Sequence, residues 1–142
     1  MSKDKIISLL QGFTIELNPK VRFKINSIPL DSKNHVYITY LPDALENDIL
    51  ETVEFVSNQK LTPIPHLPAR TMIDLDHVKR FLLEIRKRTD SSKILVIGGG
   101  GDQKGNIQSS LDILESGLLS DFGFDHIGIA GHPEGSPDIN QE

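Results

Sequence analysis

Short apolar runs alternate with segments of helical periodicity along this chain. Five of the apolar runs are typical of short buried strands, and they are centred near Ile15, Ile38, Ile64, Val96 and Ile129. Apolar residues recur at helical spacing in residues 2–10, 43–59, 74–88 and 106–116. Repeated alternation of strand and helix predicts a parallel sheet with right-handed crossovers and with its helices on one face.

Local signals set the ends of the predicted helices. Pro42 stands just before the first of the three longer helical segments, and Asp74 or Asp76 can cap the second. Gly117 is placed to terminate the third. The connection 20–34 has no clean helical period, so a full helix is not expected there.

The five predicted strands do not close a barrel by themselves. A complete (β/α)8 barrel takes about 250 residues, whereas this chain has 142. The pattern therefore predicts one α/β domain over residues 1–142, either as an open sheet or as part of a TIM-barrel-like fold. We expect the part-barrel, because the fifth strand ends at Pro133 and little sequence follows to cover its edge. Such a part-barrel is expected to be marginally stable and to self-associate.

Composition excludes several classes of function. A net charge of -5 argues against a surface that follows nucleic-acid phosphates. The absence of cysteine excludes disulfides, zinc–thiolate sites and cysteine nucleophiles. No apolar run approaches the ~20 residues of a membrane span, and the first apolar run is too short for a secretion signal. We therefore expect a cytoplasmic protein that binds neither nucleic acid nor membranes.

A polar residue follows each predicted strand, at the edge where parallel α/β folds place their chemistry. These residues are Glu16, Thr39, His66, Asp102 and His132. Because the carboxyl ends of parallel strands meet at one edge, the five residues predict one shared site. Taken singly, each has an ordinary alternative, such as a surface carboxylate for Glu16 or a packed, hydrogen-bonded histidine for His66.

Four consecutive glycines, residues 98–101, precede Asp102. The segment lacks the Gly-Lys-Ser/Thr of a P-loop and the spacing of a dinucleotide fingerprint. Glycines let a flat ring with polar edges approach the backbone, here at Gly100 and Gly101. A plain connecting loop is the alternative interpretation.

Taken in order, these strand ends resemble those of the methylenetetrahydrofolate reductases, the flavin-dependent barrel enzymes of one-carbon metabolism. The matching pieces are Glu16 in Glu-Leu-Asn-Pro, Thr39 in Ile-Thr-Tyr, His66 in Pro-His-Leu, Asp102 after the glycines, and His132 in His-Pro-Glu-Gly. Five weak motifs in the family's order, with near-family spacing, are together fairly specific. The resemblance implies the amino-terminal half of a TIM-barrel reductase.

The resemblance also implies an activity and a set of site residues. The activity would be FAD-dependent reduction of 5,10-methylenetetrahydrofolate to 5-methyltetrahydrofolate, with NADH or NADPH as the reductant. Glu16 would be the general acid that opens the methylene bridge of the folate, and Asp102 would act beside the flavin and the pterin. The cofactor-binding residues would be Thr39, His66, Gly100, Gly101, Asp102, Ala130 and His132.

The chain departs from the family pattern at several positions. Glycine replaces the arginine that precedes the family's aspartate, His132 replaces a tyrosine, and Ser136 replaces a later histidine. The family's second barrel half, which carries basic residues near the FAD phosphates, lies outside these 142 residues. We therefore expect either a second chain that supplies the missing half or a homo-oligomer.

Two other functions stay open. The first is a truncated, non-catalytic half-barrel that binds a flavin, a folate or a partner chain. The second is an unrelated open sheet that binds a small phosphorylated metabolite, for which the sequence offers no evident anion site. The presence of both Glu16 and Asp102 favours the enzyme.

Overall fold

The structure, a computed structural model, describes residues 2–131. Within that range the strands are β1 Thr14–Leu17, β2 His35–Ile38, β3 Thr62–Pro68, β4 Lys93–Ile97 and β5 His126–Ile129. The α-helices are α1 Lys3–Leu10, α2 Glu46–Asn58, α3 Leu75–Arg86, α4 Ser110–Glu115 and α5 Leu118–Asp121. Two 3-10 segments, Pro19–Ser27 and Ala69–Thr71, complete the regular structure of the described residues. None of these helices is long and apolar enough to cross a bilayer.

The strands form one parallel sheet in the order β1-β2-β3-β4-β5. Each strand lies at a position where the sequence predicted one, and each neighbours the next along the chain. The protein is therefore an α/β protein with a five-stranded parallel sheet flanked by helices, as predicted. This arrangement is consistent with a part of a TIM-like barrel.

The hydrophobic core lies on one face of the sheet. Alternate residues of the strands are buried there: Leu17, Val36, Ile38, Leu67, Ile94 and Val96. Ile49 and Val53 of α2, Phe81 of α3 and Ile113 of α4 belong to the same cluster. Because side chains alternate along a strand, Glu16, Tyr37, His66, Lys93 and Leu95 lie on the opposite face.

Prolines shape the central strand. β3 reads Thr-Pro-Ile-Pro-His-Leu-Pro, and a proline has no N–H to give to a ladder. The ladder to β4 begins only at His66, which pairs with Leu95, whereas the ladder to β2 covers Thr62 to Pro65. The flanking prolines also fix the backbone around His66, which favours a single placement of its side chain.

The helix predicted over residues 106–116 is shorter in the structure than the periodicity of the sequence indicates. α4 begins at Ser110 instead of near residue 106, because the Asn106 N–H donates to the Ile73 carbonyl at 2.8 Å. A capping box formed by Ser109 and Asp112 then starts the helix. The residues before Ser109 are held by the neighbouring loop and cannot join the helix.

Two predicted helix signals are confirmed and one is wrong. The Asp74 side chain caps α3 by accepting from the His77 N–H, and Gly117 ends α4 with a φ of 77°. The helical spacing over residues 43–59 predicts that Leu45 shares one buried stripe with Ile49 and Val53. Leu45 is instead the N-cap residue of α2 and is 69% exposed.

Candidate functional site

Two of the predicted catalytic and binding residues meet on the face of the sheet opposite the core. Glu16 lies in β1 and His66 in β3, with β2 between them. The Nε2 atom of His66 is 3.8 Å from a carboxylate oxygen of Glu16. The parallel register places Glu16 level with Tyr37 and Ile64, one same-face position before His66, so both side chains stand on the same face of the sheet.

His66 is buried without a hydrogen-bond partner at Nε2. The residue is 8% exposed, and Nε2 has no partner among the described residues. Its ring meets the edge of Tyr37, with centroids 6.3 Å apart. Buried polar atoms normally have partners, so an unpaired one beside a hollow indicates a place where a ligand or water binds.

Two opposing effects, burial and the charge of Glu16, set the protonation state of His66. Burial lowers the pKa of His66, while the nearby carboxylate raises it by a smaller amount. A distance of 3.8 Å is also too long for a hydrogen bond. His66 is therefore a neutral imidazole at neutral pH, and its contact with Glu16 is not an ion pair.

A hollow of about 330 Å³ lies in front of these two residues. It is lined by Thr14, Ile15, Glu16, Tyr37, His66 and Leu95. The side chain of Glu16 is 63% exposed and can exchange protons with solvent or with a bound molecule. A carboxyl group beside a neutral imidazole can move a proton and hold a polar ligand edge, which are the functions predicted for Glu16 and His66.

Thr39 lines a different hollow from that of Glu16 and His66. Its N–H and its hydroxyl donate to the Leu17 carbonyl at 3.1 Å and 3.4 Å. The hollow beside it, about 280 Å³, includes Asn18, Lys20 and Asp48. The structure thus places Thr39 at the carboxyl edge, as predicted, but in a neighbouring compartment.

The glycine-rich loop is held by its neighbours, and this explains part of its composition. Gly101 has a φ of 78°, and a Cβ there would lie 3.2 Å from Pro42. Gly100 is exposed beside Pro42, and Asp102 is exposed in the same loop. A Cβ at Gly98 would meet no atom within 4 Å, so the backbone is open to a ligand at that residue.

The last predicted contacts lie at and beyond the end of β5. Ala130 directly follows β5 and is exposed. His132 lies outside the described residues. Of these two predicted cofactor-binding residues, only Ala130 therefore has a described position.

A polar network on the helix side of the sheet was not predicted. Tyr40 is buried and hydrogen-bonds to Glu46, and burial, followed by the charge of Glu46, raises the pKa of Tyr40 to about 12. Glu46 also accepts from Nε2 of His77 at 2.7 Å, since Nδ1 of His77 accepts from the Ile73 N–H. The network links the amino ends of α2 and α3, which is a structural role.

The sequence did not predict a role for the remaining polar residues on the open face of the sheet, which is the face opposite the hydrophobic core. Tyr37 lies between Glu16 and His66, while His35, Lys93 and His126 lie nearer the amino ends of their strands. The prediction of the site considered only residues at the carboxyl ends of the strands, and it therefore left these residues out. Counting alternate residues from Glu16 and His66 through the sheet register would have found all of them.

No protein-family model matches this chain. The resemblance to the methylenetetrahydrofolate reductases therefore stays a prediction from the strand-end motifs of the sequence.

Proposed function

We propose that this protein is a flavin-binding α/β domain related in function to the methylenetetrahydrofolate reductases. The observation that carries the proposal is the meeting of Glu16 with the buried, unpaired Nε2 of His66 in front of one hollow. The family pattern required both residues at the carboxyl edge of one parallel sheet, and the sheet has that topology.

The residues fit the ring and ribityl portion of FAD better than its pyrophosphate. His66 offers an unpaired nitrogen at the hollow, and the backbone at Gly98 is open to a flat ring. Within residues 2–131, no lysine or arginine lines the hollow of Glu16 and His66. A partly desolvated pyrophosphate needs cations, so we expect FAD binding by this chain to be weak.

In the proposed reaction, His66 and the backbone at Gly98 would hold FAD, which, once reduced by NADH or NADPH, would supply the hydride for 5,10-methylenetetrahydrofolate. Glu16 donates the proton that opens the methylene bridge, and its exposed carboxyl group is reprotonated from solvent. His66 stays neutral and orients the cofactor through Nε2. Asp102 would act on the flavin and pterin from the loop after β4. We place the reaction in the cytoplasm, with a second chain or a homo-oligomer completing the barrel.

Separate measurement of the two half-reactions tests this assignment. Glu16→Gln should reduce folate reduction at least about 100-fold while flavin reduction by NADH or NADPH stays within about twofold, because the acid acts only in the second step. Glu54→Gln, a change at an exposed glutamate of α2, is the matched control. An equal loss in both half-reactions would remove Glu16 from this role.

A second candidate is a non-catalytic half-barrel that binds a partner chain. The observation that favours it is Ile129, an apolar residue on β5 that is 64% exposed within the described part of the chain. This candidate predicts binding of flavin or folate without turnover in either half-reaction. The half-reaction measurements therefore separate it from the enzyme.

A further inference from the structure

The open face of the sheet carries a second polar cluster, nearer the amino ends of the strands. His35, Lys93 and His126 are the first residues of β2, β4 and β5. They line a hollow of about 230 Å³ together with Tyr37 and Ile64. Tyr37 also borders the hollow of Glu16 and His66, so the two hollows are neighbours.

Three basic side chains line this second hollow, and the carboxylate of Asp125 contacts one of them, His126. The backbone N–H of Lys93 donates to the Ser91 hydroxyl oxygen at 3.3 Å, whereas its side-chain ammonium has no hydrogen bond or ion pair to any residue in the range 2–131. Among the described residues, none with a carboxylate lines the hollow, although the chain as a whole has a net charge of -5. An acidic protein that keeps an unpaired lysine between two imidazoles has a local field that favours an anion.

The two histidines differ in their surroundings. The Asp125 carboxylate contacts Nδ1 of His126 at 2.6 Å and also accepts from the Ser92 hydroxyl. This contact orients His126 and leaves Nε2 as the nitrogen available to a ligand. Burial lowers the pKa of His35, and the charges of Lys93 and His126 lower it further.

We propose that His35, Lys93 and His126 form a binding site for a small dianion such as a phosphate or sulfate group. The ammonium of Lys93 supplies the permanent charge, and the two imidazoles donate to the anion once protonated. The Tyr37 hydroxyl is a further donor on the wall of the hollow. This site is distinct from the proposed flavin site and does not depend on it.

Affinity for the anion should rise as the pH falls. The groups that set this dependence are His35 on β2, Lys93 on β4, and His126 with its partner Asp125 at β5; Glu16 faces the cluster across Tyr37. An anion placed among the cations removes the repulsion that keeps His35 neutral, so it promotes uptake of protons. The pH profile of binding therefore reports on the imidazole of His35.

Sulfate is the probe of choice, because it stays a dianion between pH 5.5 and 8. Titration of the full 142-residue chain with sulfate, followed by the NMR signals of the imidazoles at constant ionic strength in chloride, should show saturable shifts at His35 and His126. We expect binding at pH 5.5 to be at least about 10-fold tighter than at pH 8. Lys93→Gln should weaken it at least about 10-fold, whereas Lys79→Gln, a change at an exposed lysine of α3 that does not line the hollow, should leave it unaltered.

Two results would overturn the proposal. One is an absence of saturable shifts at both histidines, with an adventitious response that grows in proportion to sulfate. The other is equal binding in the wild type and in Lys93→Gln. Should Lys93→Gln fail to fold, His126→Gln provides the same comparison at a more exposed residue, and the pH dependence of the wild type needs no variant.

Discussion

Among the glycines of the loop that carries Asp102, Gly105 is the one at which an added methyl group should lower the stability most. A Cβ on Gly105 would lie 1.9 Å from the Ile73 carbonyl oxygen and 2.3 Å from the Ile73 Cα. Both atoms belong to the backbone, so a change of side-chain rotamer cannot relieve the clash. The loop must move away from Ile73 by more than the few tenths of an ångström that packed structures tolerate.

The magnitude follows from the bonds on either side of Gly105. The N–H groups of Lys104 and Asn106 donate to the carbonyls of Arg70 and Ile73, each at 2.8 Å. Two such bonds contribute about 1 kcal/mol each, and overpacking adds about 1–3 kcal/mol. Gly105→Ala should therefore lower the free energy of unfolding by about 3–5 kcal/mol.

Urea unfolding followed by circular dichroism measures this loss. The matched control is Gly98→Ala in the same loop, where a Cβ meets no atom within 4 Å and the φ is not positive. That variant should be neutral or more stable by up to about 1 kcal/mol. A Gly105→Ala variant within about 0.5 kcal/mol of the wild type, or one no worse than Gly98→Ala, would refute the packing described between residues 73 and 105.

Three further predictions concern stability and association. Burial holds the pKa of His66 below its ordinary value of 6.5 in the folded state, so the free energy of unfolding should fall as the pH drops below 6.5. His66→Gln should flatten that slope in urea midpoints measured from pH 7.5 to 5, and an unchanged slope would contradict it. Phe81→Ala should cost about 3–5 kcal/mol because Phe81 is fully buried, against less than about 1 kcal/mol for the exposed Leu83→Ala; equal losses in urea unfolding would contradict the assigned core. Light scattering should show that the wild type self-associates, and Ile129→Lys should reduce the apparent mass. A wild type that stays monomeric would contradict self-association through the exposed Ile129 of β5.

The sequence predicted the sheet well because short apolar strands with polar ends carry a strong local signal. All five strand positions and the parallel order follow from that pattern. The ends of α4 and the exposure of Leu45 did not follow, because they depend on which backbone group a neighbouring loop offers. The Asn106 N–H donates a hydrogen bond to the Ile73 carbonyl, and this bond cannot be predicted from residues 106–109 alone.

The candidate site was predictable only in part, for a similar reason. The approach of Glu16 to His66 follows from a parallel register, which the sequence pattern implies. The separation of Thr39 into another hollow depends on how the connection after β2 packs, and this is a tertiary property. Lys93 was missed because only the carboxyl ends of the strands were considered. Side chains alternate between the two faces along a strand, and this alternation places Lys93 on the same face as Glu16.

Equilibrium binding of FAD tests the central claim most directly. In a titration of the 142-residue chain at pH 7.5, followed by flavin fluorescence, we predict saturable binding with a Kd on the order of 10–100 µM, a weak affinity for so large a ligand. His66→Leu should weaken binding about 10-fold by removing the unpaired Nε2, while His126→Leu, at the other end of the sheet face, should change it less than about twofold. The account would be contradicted by an absence of saturable binding, or by an affinity that His66→Leu leaves unchanged.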